Sequence, residues 1–117
     1  MTKTAIVTVT GSGKYLLDID IEKIDKIVGM TKSLVAEYAK DGLRVNSIAP
    51  GPTETPMVAA FYADNPEMKA NAEAGIPQKR LGTPEEVAEL VTFLLTSKAE
   101  YINGEVIRID GGFTNTK

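Results

Sequence analysis

The chain has 117 residues, 43% apolar and 25% charged, proportions that suit one folded domain and exclude disordered, collagenous and coiled-coil proteins. Thirteen basic against sixteen acidic residues leave a formal charge of -3, with no electrostatic footprint for nucleic acid or an anionic membrane. Cys, His and Trp are absent, which removes disulfides, thiolate and imidazole chemistry and every metal site built on those ligands.

The first element is predicted over residues 4–9, Thr-Ala-Ile-Val-Thr-Val, a β-branched apolar run that stops at the turn signal Thr10-Gly11-Ser12-Gly13. Ile21, Ile24, Val28, Thr31, Val35 and Tyr38 then recur at spacings of three and four, which predicts a helix over about residues 22–40. Gly29 lies inside it, where a glycine often marks a close packing contact. Asp41-Gly42 supplies the stop, with Gly42 placed for a left-handed C-cap. Leu43–Ile48 reads as a second strand ended by Pro50-Gly51-Pro52.

From Thr53 to Arg80 runs a Pro- and Ala-rich excursion with weak helical patterns near 56–63 and 66–74. Excursions of this length are usually lids or disordered segments. Thr83-Pro84-Glu85-Glu86 is the clearest local signal. Thr83 can cap the first amides, Pro84 suits the first helical position, and Glu86 stands where a capping box needs it. Val87, Leu90, Val91, Leu94 and Leu95 form the stripe of that helix, expected to end near Thr96–Lys98. Val106–Ile109 is the last strand, closed by Asp110-Gly111-Gly112. Strands separated by helices predict an α/β domain with a short, mostly parallel sheet joined by right-handed crossovers.

Several blocks of this text occur together in one known family. They are Gly29-Met30-Thr31-Lys32-Ser33-Leu34, Glu37-Tyr38-Ala39, Gly42–Gly51 with Asn46, Pro50 and Gly51 in place, Thr55-Pro56-Met57, Arg80–Ala88, and Gly104-Glu105 followed by Asp110-Gly111-Gly112. In this order, from residue 29 onward, the chain resembles the C-terminal half of a short-chain dehydrogenase/reductase. The resemblance implies a partial Rossmann-like three-layer fold of about three strands flanked by helices, with residues 1–28 atypical. It implies NAD or NADP as cofactor and a carbonyl or alcohol as substrate. Pro50, Gly51 and Thr55 match the family's segment against the nicotinamide. Thr53 stands where the main chain meets the carboxamide. A strand's carboxyl end at a sheet crevice is where doubly wound folds bind ligands. The excursion would then be the substrate lid.

The family's Tyr-x-x-x-Lys pair is missing. The Lys should stand five residues before Gly29 and the Tyr four before that, and those positions hold Ile24 and Asp20. Tyr15, Lys23 and Lys26 lie nearby but out of register. The family's glycine-rich loop is absent too, since positions 15 and 17 hold Tyr15 and Leu17.

Residues 4–9 match either the family's first strand or the strand that carries its catalytic Ser, with Gly11 or Ser12 near that Ser. The second match leaves three neighbouring parallel strands, the first with an exposed edge. On either match the chain is expected to be inactive alone. It would be a homo-oligomer or dock on a longer relative through the helix over 22–40, and would take a small-molecule substrate only if active. Partnership with nucleic acid or membrane is not expected, and with no secretory signal or bilayer-length apolar run a cytoplasmic protein is. A non-catalytic interaction module is the alternative. Asn46 is expected to satisfy backbone groups near the crevice, Asp110-Gly111-Gly112 to be a strand-end turn, and Asp18, Asp20 and Glu22 to be solvated and to hold no metal.

Overall fold

Three β-branched runs and their connections decide the architecture. A computed structural model describes residues 4–9 and 21–116, with side chains described from 26 to 115. Strands β1 (Thr4–Val9), β2 (Leu43–Pro50) and β3 (Val106–Ile109) form one sheet in the order β1-β2-β3, with both pairings parallel. Ile6 faces Val45 in the first register, and Pro50 faces Ile109 at the end of the second. These are the three neighbouring parallel strands required by the match of residues 4–9 to the Ser-bearing strand. Among the described residues β1 and β3 are both edges, the kind of strand that pairs or aggregates unless covered.

Helix α1 (Ile21–Tyr38) crosses from β1 to β2 and tightens into a 3-10 turn at Ala39–Asp41. Gly42 ends it at φ 91°, its amide donating to the Ala39 carbonyl at 3.1 Å, a conformation that costs a glycine little. The Thr31 in the apolar stripe of α1 has a reason. It is fully buried against β2, where its hydroxyl donates to the Ile27 carbonyl at 2.8 Å and lies 2.9 Å from the Ser47 hydroxyl. Gly29 does not mark a packing contact: it is exposed, and a Cβ there would meet nothing within 4 Å.

Between β2 and β3 come α2 (Pro56–Ala63), α3 (Pro66–Ala74) and α4 (Pro84–Leu94). The weak helical patterns near 56–63 and 66–74 are thus two ordered helices with those bounds. Thr83 caps α4 with both halves of a capping box, Thr83 Oγ1 accepting from the Glu86 amide and Glu86 accepting from the Thr83 amide. Helix α4 ends at Leu94, short of the expected Thr96–Lys98. The Arg44 guanidinium of β2 is the cause. It donates to the carbonyls of Leu94 at 2.9 Å, Thr96 at 3.2 Å and Ile102 at 3.3 Å. The Leu94 and Thr96 carbonyls are thus taken up by Arg44 at the helix end, and Thr96 takes extended backbone.

Two apolar clusters result. Ile48, Leu94 and Ala99 are buried between the sheet and α4, with Val87, Leu90 and Ile107 packed around them. Val58, Ile76 and Leu81 form a second cluster inside the excursion, with Tyr62 and Phe113 against it. A fully buried aliphatic side chain contributes about 1.5–3 kcal/mol of hydrophobic free energy. Asn46 satisfies backbone groups as expected, donating to the Ile102 carbonyl at 3.0 Å and accepting from the Glu105 amide at 3.1 Å. It does so ahead of β3, however, at the end of the sheet opposite the crevice, because its position on β2 precedes the first β3 register pair. No helix among the described residues is long and apolar enough to cross a membrane.

Candidate functional site

The carboxyl ends of β2 and β3 come together at Pro50 and Ile109, and the Gly51 amide extends the pairing by donating to the Ile109 carbonyl at 2.9 Å. A Cβ on Gly51 would lie 2.5 Å from the Asp110 Cβ and 2.8 Å from its Cα. Gly51 is thus fixed by the approach of the two strand ends, before any ligand is considered. Thr53 then folds its hydroxyl back to the Gly51 carbonyl at 2.8 Å.

The next contact orients the segment. Thr53 bridges Gly82 in parallel fashion, with the Gly82 amide donating to the Pro52 carbonyl at 2.9 Å and the Glu54 amide to the Gly82 carbonyl at 2.8 Å. In that geometry the main chain of Thr53 itself points away from Gly82. Its amide makes no hydrogen bond among the described residues. Thr55 is the N-cap of α2, its hydroxyl accepting from the Val58 amide at 3.3 Å with Pro56 at the first helical position. The expected residues therefore share one segment at the crevice with different duties. Gly51 lets the strands close, Thr55 starts α2, and Thr53 is left with an outward main-chain donor.

Two concavities flank this segment. A small polar cleft of about 60 Å³ lies among Thr53, Gln78, Arg80, Thr83 and Asp110. Arg80 and Glu86 are paired through both oxygens, at 2.7 and 2.9 Å. The Arg80 guanidinium, then the Thr83 amide, hold the Glu86 carboxyl well below its ordinary range, at about 2. Burial disfavours the Asp110 carboxylate, yet hydrogen bonding from Thr114 and the Gly112 amide, with Arg108 nearby, outweighs it and lowers that carboxyl too. Gly111 and Gly112, at φ 63° and 90°, complete the expected strand-end turn, and the Gly111 carbonyl accepts from the Gln78 amide at 3.3 Å.

The second concavity is a groove of about 660 Å³ between α2, α3 and Phe113, with Val58 and Tyr62 in its wall and Met57, Phe61 and Met68 on its rim. Sequence reasoning missed it. Its apolar residues sit on two helices too short to show a stripe, and its far wall comes from beyond β3.

Tyr15, Gly11, Ser12, Asp18 and Asp20, and the side chains of Glu22, Lys23 and Ile24, lie outside the described residues. Lys26 is exposed on α1. Among the described residues no three potential metal ligands gather.

The sequence profile of the family described as enoyl-(acyl carrier protein) reductase matches residues 21–114. An A-factor type gamma-butyrolactone 1'-reductase (1S-forming) of Streptomyces virginiae is 41% identical over 88 residues, covering 75% of this chain and 34% of that protein. A provisionally assigned 2-deoxy-D-gluconate 3-dehydrogenase from Agrobacterium tumefaciens, solved with NADP, superposes with a TM-score of 0.79 at 31% identity, over 97% of this chain and 47% of that one. A 4-hydroxyisoleucine dehydrogenase complexed with NADH gives a TM-score of 0.82 at 25% identity, over 97% of this chain and 48% of its own. The chain thus spans about a third of the length of the curated relatives it matches.

Proposed function

The chain belongs to the short-chain dehydrogenase/reductase family, within its C-terminal region, and on that premise we propose that it forms the nicotinamide-facing wall and the substrate lid of an NAD(P)-dependent oxidoreductase site. The observation that carries this reading is the Thr53 main chain, held outward at the carboxyl end of β2 by its bridge to Gly82, with an amide free to meet a carboxamide. Pro50 and Gly51 bring it to the crevice, and Thr55 launches the lid beside it. A bound nicotinamide would give hydride to a carbonyl in its reduced form or take hydride from an alcohol in its oxidised form. These residues orient its carboxamide and bound the space where a carbonyl or alcohol would lie.

No residue of the 117 fills the place of the Tyr-x-x-x-Lys pair, and no glycine-rich loop is present to hold the pyrophosphate. These 117 residues therefore supply only part of such a site and do not turn over by themselves. A second copy repeats the same residues, so the missing groups come from sequence outside them, for which an assembly with a longer relative is the proposed source. The second reading, a non-catalytic interaction module, is favoured by β1 being an edge strand among the described residues.

Titration of the chain with NADH and NADPH, followed by calorimetry and amide chemical shifts, tests the proposal. We expect affinity no better than roughly millimolar, with shifts centred on Thr53. Micromolar affinity would overturn the dependence on an assembly. Shifts that leave Thr53 untouched would overturn the site. Light scattering that finds a stable monomer, together with untouched Thr53, would leave no role for the chain in a nicotinamide site.

A further inference from the structure

The groove between α2 and α3 differs from the small cleft beside it in both size and chemistry. Its volume of about 660 Å³ is in the range of small-molecule sites. Its floor is fixed, because Val58 is buried with Ile76 and Leu81 in the excursion's own cluster. Its rim is not: Met57 is 79% exposed, Met68 52% and Phe61 49%. Unbranched methionines on a rim adapt to the shape of an apolar guest. Among the residues around the groove only Tyr62 and Asn71 carry polar side-chain atoms, and none carries a charge.

Every cation of the excursion already has a partner. Its cations are Lys69, Lys79 and Arg80. Lys69 pairs with Glu54 at 3.1 Å and Glu73 at 3.8 Å, Lys79 donates to the Ala74 carbonyl at 2.7 Å, and Arg80 is paired with Glu86. A carboxylate or phosphate entering the groove would lose water and meet no cation in its lining, an unfavourable exchange. Pro52, between Gly51 and Thr53, belongs to the groove wall as well as to the polar cleft, so a guest in the groove reaches the segment that faces the nicotinamide.

We infer that the groove binds an uncharged, largely apolar carbonyl or alcohol, with Met57, Phe61 and Met68 closing on its hydrocarbon part and Tyr62 and Asn71 as its only side-chain hydrogen-bonding partners. This rests on the reading of residues 51–82 as the substrate side of the site. It selects against anionic substrates such as sugar acids.

The test is a titration of the whole chain without cofactor, using 2-decalone as the apolar ketone and 5-keto-D-gluconate as the anionic one. Amide shifts locate the site and calorimetry gives the affinity. The expected result is saturable binding of 2-decalone with shifts on α2, α3 and Phe113, at least about tenfold tighter than the keto acid. Met68→Lys and Met57→Lys, both on the exposed rim, should each weaken it by about tenfold, because they place a solvated charge beside the guest. Phe93→Lys, on the far helix α4, should leave it unchanged.

Tighter binding of 5-keto-D-gluconate, no saturable binding of 2-decalone, or equal loss in Phe93→Lys would overturn the inference. So would a dimer that Met68→Lys splits, since a second copy would then be the occupant. Because no nicotinamide is present, these outcomes are read separately from the Thr53 shifts that test the cofactor-facing role.

Discussion

The sheet layer and the excursion that leaves it are held by different means. In the sheet layer, β2 is buried from Val45 to Ala49, and its polar members are all matched: Asn46 by backbone on the way into β3, Ser47 by Thr31, Arg44 by three carbonyls around the end of α4. The excursion of residues 51–82 has a cluster of only three buried aliphatic residues and is otherwise secured by surface ion pairs and helix caps. The layer derives its rigidity from burial, whereas the excursion keeps an open apolar groove and is joined to the layer at its two ends and at the turn after β3. A ligand-binding part is commonly drawn from the less stable end of a fold's range.

The largest expected effect separates the two regions directly. Leu94→Ala, at a fully buried position of the layer, should cost about 2–5 kcal/mol of global stability in denaturant unfolding. Ile76→Ala should instead release α2 and α3 first, read as faster amide exchange there while β2 stays protected. If both variants melted everything together, the two regions would be one cooperative unit. Arg44→Met comes next, with a loss of about 1.5–3 kcal/mol, since a charged donor leaves the carbonyls that end α4. Lysine at that position should not restore it, because an ammonium cannot reproduce the planar fork.

Gly51→Ala should cost about 1–3 kcal/mol by forcing Asp110 aside. A neutral result, by equilibrium unfolding, would mean that the strand ends are loosely joined. Thr83→Ala should cost about 1 kcal/mol, and the cap it belongs to carries a pH dependence. The Glu86 carboxyl is depressed in the folded chain from 4.5 to about 2. Its stabilising contribution is therefore complete above pH 4.5 and is lost as pH falls toward 2. Amide exchange at the first turn of α4 should quicken over that window, and Arg80→Gln should narrow it. The smallest effect is a gain. Gly29→Ala should add about 0.8–1 kcal/mol, since the site is helical, exposed and free of neighbours. A loss in thermal unfolding would show that α1 is covered there in an assembly.

The elements were largely legible in the sequence because their signals are local. Apolar, β-branched runs bounded by turn signals mark the strands, and Thr83-Pro84-Glu85-Glu86 marks the start of α4 so strongly that both reciprocal hydrogen bonds form. The end of α4 was not legible, because it is set by Arg44 from a strand fifty residues away in sequence. Gly29 looked like a contact and is a bare helical surface, since a glycine has no side chain to say which. At the site, Pro50, Gly51, Thr53 and Thr55 could be read as one segment. That Gly51 answers to Asp110, or that Thr53 is turned outward by Gly82, depends on pairings between distant residues and leaves no trace in spacing. The groove was hidden for the same reason, its walls being drawn from α2, α3 and Phe113.

The bridge between Thr53 and Gly82 has a wider consequence. By joining the departing and returning ends of the excursion with two backbone hydrogen bonds, it closes residues 54–81 into a loop whose further ties to the layer run through the turn after β3, where Gln78 meets Gly111 and Phe113 packs on the excursion's cluster. Lengthening a flexible loop so anchored costs little, about 0.6 kcal/mol for each doubling. Residues 54–75 can then be exchanged, lengthened or redesigned on an unchanged sheet, as long as Ile76, Pro77 and Gln78 keep their contacts with Gly111, Gly112 and Phe113.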